Sequence, residues 1–139
     1  MKHLITLFML LVVAIPCFAE SEEDKSKPPI SPQEIVDVQL SAYNDGDIKA
    51  FVSTYADDVK TYGQANDLKI SGIKDLENAY AGYFEAHPEL HAEVTGKIIQ
   101  GNFIIYQELV SGVVGGEDFV ATAIYEVRDD KIQNVWFFQ

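Results

Sequence analysis

The spacing of apolar residues changes once along this chain, and that change constrains the fold more than any other feature. Up to Pro88 the apolar residues recur at helical intervals; beyond it they alternate. Ser31-Pro32-Gln33-Glu34 joins a capping serine, a proline in the first helical position and a glutamate three residues after the cap. This predicts a helix from Pro32 to about Asn44, ended by Gly46 in the left-handed conformation. Asp47 caps a short second helix whose buried face takes Ile48, Phe51, Val52 and Tyr55. A brief strand is expected at Leu68 to Ser71. A third helix follows Gly72, with Ile73, Leu76, Tyr80, Tyr83 and Phe84 on one face, and stops before Pro88. Four strands then fit, at His91 to Gln100, Asn102 to Gly112, Glu117 to Val127 and Lys131 to Phe138. Gly101, Gly115-Gly116 and Asp129-Asp130 separate them. Short turns make these an antiparallel meander. In the third of them Phe119, Ala121, Ala123, Tyr125 and Val127 share a face opposite Asp118, Thr122 and Glu126, so one side is buried. Helices first and strands afterwards give an α+β domain whose sheet curls over its helices.

Residues 1–19, MKHLITLFMLLVVAIPCFA, have the layout of a cleaved secretory signal. Lys2 precedes an apolar run too short to span a bilayer comfortably, then come Pro16 and a small residue at Ala19. Cys17 also admits lipid modification, although Pro16 before it fits that processing poorly. The expected location is therefore periplasmic or secreted. Residues 20–30 are charged and end in prolines, a solvated tether before a domain at residues 31–139. Cleavage would leave 120 residues, enough for one core burying roughly two thirds of the unfolded chain's surface. Cys17 is the only cysteine, so that domain has no disulfide, thiolate metal ligand or cysteine nucleophile. The formal charge of −12 becomes −13 without Lys2, a field that repels phosphate backbones and anionic lipid. No nucleic-acid partner is expected, and no membrane partner after cleavage.

Four segments match one superfamily in order and spacing: AYNDGDIKAFVSTYADDV, GIKDLENAYAGYFEAHPELHAEV, GKIIQGNFIIYQELVSG and AIYEVRDDKIQNVWFF. From about Ser31 to Gln139 the chain resembles the nuclear transport factor 2-like superfamily, near its ketosteroid isomerase-like and SnoaL-like bacterial members. The resemblance implies a cone-shaped α+β barrel, with three N-terminal helices packed in a curved antiparallel sheet around a deep apolar pocket. It also implies a homodimer through the outer sheet face. It leaves activity open, because this scaffold hosts isomerases, cyclases, dehydratases and binding modules.

A ketosteroid isomerase uses a carboxylate base, and a tyrosine with a protonated aspartic acid to hold the enolate oxygen. Carried onto this sequence, those positions fall on Gly63, about Gln39, and Ala123. None can do that chemistry, and only Tyr62 or Tyr43 stands near enough to replace a lost donor.

Other candidates remain. Asp57 and Asp58 are adjacent carboxylates, but neighbours at the mouth of a strand point apart, so a solvated corner between helix and strand is the simpler account. His91 has a suitable intrinsic pKa for a base and would share a polar face with Glu93, Thr95 and Lys97. Glu108 alternates with Ile104, Tyr106 and Val110 on an apolar face. There it must pair with a neighbour such as Tyr106 or have a raised pKa. Tyr43, Tyr62, Tyr80, Phe84, Tyr125 and Trp136 are expected around the pocket, as core packing or as walls for an apolar ligand with one polar atom. His87 and His91 stand four apart, but Pro88 breaks the helix that would pair them, and no metal or cofactor is expected. Three functions fit: a binder of a small apolar molecule; an enzyme moving a proton on a carbonyl compound, with Glu108 or His91 as base; and an interaction module whose pocket is filled by its own side chains.

Overall fold

The computed structural model describes residues 28–139, so the expected signal and most of the tether lie outside the described residues. Helix α1 runs Pro32–Asp45, with Ser31 Oγ accepting from Glu34 N and the Glu34 carboxylate accepting from Ser31 N. Gly46 ends it in the left-handed conformation. Helix α2 is Ile48–Ser53, capped by Asp47, and α3 is Ile73–Ala86. The strands are β1 Tyr55–Tyr62, β2 Leu68–Ser71, β3 His91–Gln100, β4 Phe103–Ser111, β5 Phe119–Arg128 and β6 Lys131–Phe138. They form one curved, unclosed sheet in the order β2-β1-β6-β5-β4-β3. With three helices inside its curve, this is the expected α+β cone.

Two details differ from expectation. Tyr55 does not extend α2: the helix stops at Ser53, and Tyr55 opens β1. Pairing with β6 wins there, because Ile132 N donates to Thr54 O and Lys131 Nζ to Ser53 O, drawing the chain into the sheet. The β1–β6 pairing is parallel, so the sheet is a four-strand antiparallel meander with one parallel junction. The second difference concerns Asp57 and Asp58, which lie within β1 rather than at a corner. The register to β6 breaks between Tyr55 and Lys60, and both carboxylates stay exposed.

The core lies between the helices and the concave sheet face, built from Val36, Phe51, Val59, Leu76, Ile104, Tyr106, Ile132 and Val135. Asn44 anchors the end of α1 to β3: its Nδ2 donates to Ala92 O at 3.0 Å and its Oδ1 accepts from Ala92 N at 2.7 Å. His87 has a structural place as well, with Nδ1 accepting from Val114 N at 3.0 Å beyond the end of α3.

Candidate active site or ligand cavity

On the inner face of β4, Ile104, Tyr106, Glu108 and Val110 alternate and are all buried. Glu108 stands opposite Ala121 of β5, and Ala79 of α3 faces the same space; methyl groups at both places leave a cavity of about 400 Å³. Glu108 is only 6% exposed. Its Oε1 accepts from the Tyr125 hydroxyl at 3.1 Å. Tyr125 itself pairs with Ile104, and the pair between it and Glu108 on this face sets the small Ala123 opposite Tyr106. The partner expected from sequence, Tyr106, instead donates to Asp37 on α1. Burial pushes the Glu108 carboxyl up to about 7, and the Tyr125 hydrogen bond offsets part of that rise.

Opposite this carboxyl the helices supply aromatic side chains. Tyr43 of α1 meets Tyr80 of α3 edge-on at 6.4 Å, and Phe51 lies 4.6 Å behind Tyr80. Tyr43, Tyr80 and Tyr83 all line the cavity, with Leu40, Ile70, Phe119 and Phe137 completing its apolar wall. Burial raises the Tyr43, Tyr80 and Tyr125 hydroxyls well above their ordinary value, so they stay protonated donors. Two amide residues, Gln39 and Gln139, also belong to the cavity lining. Gln39 is 4% exposed, and its Oε1 has no hydrogen-bond partner.

Residues 36–135 match the model of the SnoaL-like domain family. The chain belongs to the SnoaL-like family. No curated protein matches it. Among solved structures, an uncharacterized cystatin fold protein from Novosphingobium aromaticivorans is 26% identical with a TM-score of 0.74, over 80% of this chain and 100% of that one. A hypothetical protein with a ketosteroid isomerase-like fold from Catenulispora acidiphila, in complex with trimethylamine, is 17% identical (TM-score 0.65, 79% and 87% covered). An LEH-like epoxide hydrolase of M. tuberculosis is 14% identical (TM-score 0.68, 77% and 80% covered).

In this SnoaL-like domain, the cavity brings together four of the residues singled out from sequence: Glu108, Tyr43, Tyr80 and Tyr125. Phe84 packs behind the wall, 5.5 Å from Tyr43, rather than lining it. Tyr62 and Trp136 are cross-strand partners on the opposite, convex face, where their rings stack at 5.5 Å. His91 is exposed at the start of β3, paired with Ser111 and outside the cavity. It does not share a face with Lys97, because a register shift between Val94 and Gly96 sets Lys97 opposite Tyr106, on the inner side.

The positions taken from the isomerase pattern also separate. Gln39 lines the cavity, and Ala123 is buried on the inner face between Tyr106 and Phe137. A side chain at Gly63 would meet Lys69, 2.8 Å from its Cε, so an acid there would neighbour an ammonium rather than the cavity. Sequence reasoning met Gln39 only as the residue at the isomerase's tyrosine position, and passed over Tyr83, Phe119 and Phe137 as site residues. For Gln39 the signal was present: it is the polar member of a buried stripe with Ile35, Val36 and Ala42.

Chemically, the cavity offers one buried acidic side chain that titrates near neutrality, a tyrosine hydroxyl bonded to it, three further tyrosines, two amide residues and a largely apolar wall. Among the described residues no three His, Cys, Asp or Glu side chains cluster as metal ligands would.

Proposed function

We propose that this SnoaL-like domain binds a small, largely apolar molecule in the cone and holds its polar group at Glu108. The observation that carries this is an apolar cavity of about 400 Å³ with Glu108 as the one acidic side chain in its lining. Neither Trp136 nor Phe84 plugs it, which tells against a pocket filled from within. The trimethylamine complex of the Catenulispora protein supports a small-molecule role for such a cone. Nile red, a neutral apolar dye, should bind residues 20–139 at about one per chain, and Ala121→Trp, which fills the cavity, should abolish binding without unfolding the protein. Dye binding that survives Ala121→Trp would place the dye elsewhere and sink the proposal.

A second function is favoured by the position of the Glu108 pKa: a general base for proton transfer next to a carbonyl, with a buried tyrosine hydroxyl as the oxygen-holding donor. The epoxide hydrolase among the similar structures supports catalysis on this scaffold. His91, exposed at the start of β3 and outside the cavity, is dropped from that role. Exchange of ketone α-protons for deuterium, followed by NMR, should be accelerated by the native protein and not by Glu108→Gln.

Export and dimerisation belong to the same proposal. Residues 1–19 carry the pattern of a signal, so intact-mass analysis of the exported protein should find Glu20 at the N-terminus. The convex sheet face, with Ile98 and Val120 more than half exposed, is the surface a second copy would cover.

A further inference from the structure

The cavity's polar groups are not balanced, and the imbalance has a sign. Glu108 is its carboxylate, and among the described residues no Lys, Arg or His lines the same space. Tyr125 supplies Oε1 with a donor, while Oε2 meets none among the described residues. Gln39 adds a buried acceptor, Oε1, with no donor of its own. A buried carboxylate without a cation is costly, and so is a buried acceptor without a donor. Both costs are relieved by one kind of guest.

Resting on the binding function proposed above, we infer that the cavity takes a protonated amine on an apolar body, its ammonium group hydrogen-bonded to Glu108 and Gln39. The ammonium brings the missing charge and several N–H donors at once. Tyr43, Tyr80 and Tyr83 line the same cavity, and aromatic rings attract ammonium groups and their carbon substituents. A carboxylate guest would meet Glu108 with like charge and Gln39 with an acceptor. An alcohol offers one donor and no charge.

The titration of Glu108 fits the same guest. Burial pushes the Glu108 carboxyl up to about 7, and a neighbouring ammonium favours its ionised form. The ionisable groups coupled to it are all tyrosines: Tyr125 from β5, Tyr43 from α1, Tyr80 from α3, Tyr55 from β1, and Tyr106 on its own strand. Their hydroxyls are all shifted upward, so within this coupled group Glu108 alone changes charge between pH 5 and 8.

Calorimetric titration with 4-phenylbutylammonium, 4-phenylbutanol and 4-phenylbutyrate tests this, because the three share a body and differ in the head group. At pH 8 the ammonium should bind roughly 10-fold tighter than the alcohol, the size of one net charge-assisted hydrogen bond, and the carboxylate weakest. That preference should shrink at pH 5.5, where Glu108 is protonated. Glu108→Gln should remove the ammonium's advantage over the alcohol. If the variant unfolds, the pH dependence of the native protein decides alone. Alcohol binding as tightly as ammonium at pH 8, or Nile red binding with no ammonium binding, overturns this inference while the binding function stands. Failure of Nile red and all three probes removes both.

Discussion

Glu108 shows how a single side chain sets a pH dependence for the whole fold. Its pKa is about 7 in the folded protein, against an ordinary 4.5. Between those values the folded state keeps a proton that the unfolded chain has released, so this group's contribution is most favourable below pH 4.5 and declines as pH rises through 7. The shift corresponds to about 3 kcal/mol lost by pH 8, counted at 1.36 kcal/mol per unit. Glu108→Gln keeps the shape and the acceptor for Tyr125 but has no charge to bury. Urea melts should find variant and native protein equally stable near pH 4.5 and the variant more stable by up to about 3 kcal/mol at pH 8. Equal stabilities at both pH values would show that Glu108 is hydrated rather than buried. The carboxylate was legible in the sequence because it interrupts an apolar alternation. Its hydrogen-bond partner was not: Tyr125 is 17 residues away, and only the β4–β5 register decides that it wins over Tyr106.

Elements are held in place by a few close approaches that substitution can test. Gly112, just past β4, has φ of 77°, and an added Cβ would sit 1.8 Å from Glu89 O. Gly115 has nearly the same φ, 76°, with nothing within 4 Å of such a Cβ. Gly115→Ala should therefore cost about 1 kcal/mol from backbone strain alone, while Gly112→Ala should cost several times that and loosen the β3–β4 hairpin. Denaturant midpoints of the two variants check the contrast, and similar midpoints would refute it. Asn44 gives a second test. Asn44→Ala removes both hydrogen bonds to Ala92, and leaves the Ala92 amide buried without its partner. A loss of about 1–3 kcal/mol is expected, with faster hydrogen exchange concentrated at Ala92 and its neighbours on β3. The helix caps, Gly46 and the last four strands were all readable from local pattern. The reach of α2 was not, because Tyr55 falls at a helical spacing by coincidence while its backbone is claimed by β6 from 77 residues away. Parallel pairing of β1 with β6 leaves no local mark in either segment.

At the scale of the molecule, the order of helices and strands marked an α+β sheet curled over its helices, the family resemblance implied the cone, and register then sorted the aromatics between its two faces. Sequence grouped Tyr62 and Trp136 with the cavity. The register instead sets them at the end of a row, Ile98, Ile105, Ile124, Trp136 and Tyr62, that crosses five strands on the convex side. Val120 and Phe138 flank it, half-exposed. A continuous apolar row on the outside of a sheet is unfavourable in a lone monomer and suits a two-fold interface of standard size. Trp136 is the only tryptophan, so its emission reports on this face and not on the cavity. Diluting the protein should shift that emission to the red and lower the apparent mass in light scattering, and the melting temperature should rise with concentration. Ile124→Lys places a charge at the middle of the row. It should give a monomer at all concentrations, with red-shifted emission and Nile red binding unchanged, because the cavity lies on the other side of the sheet. A native protein that stays monomeric, with Trp136 emission insensitive to both dilution and Ile124→Lys, would mean that the convex face meets water rather than a second copy.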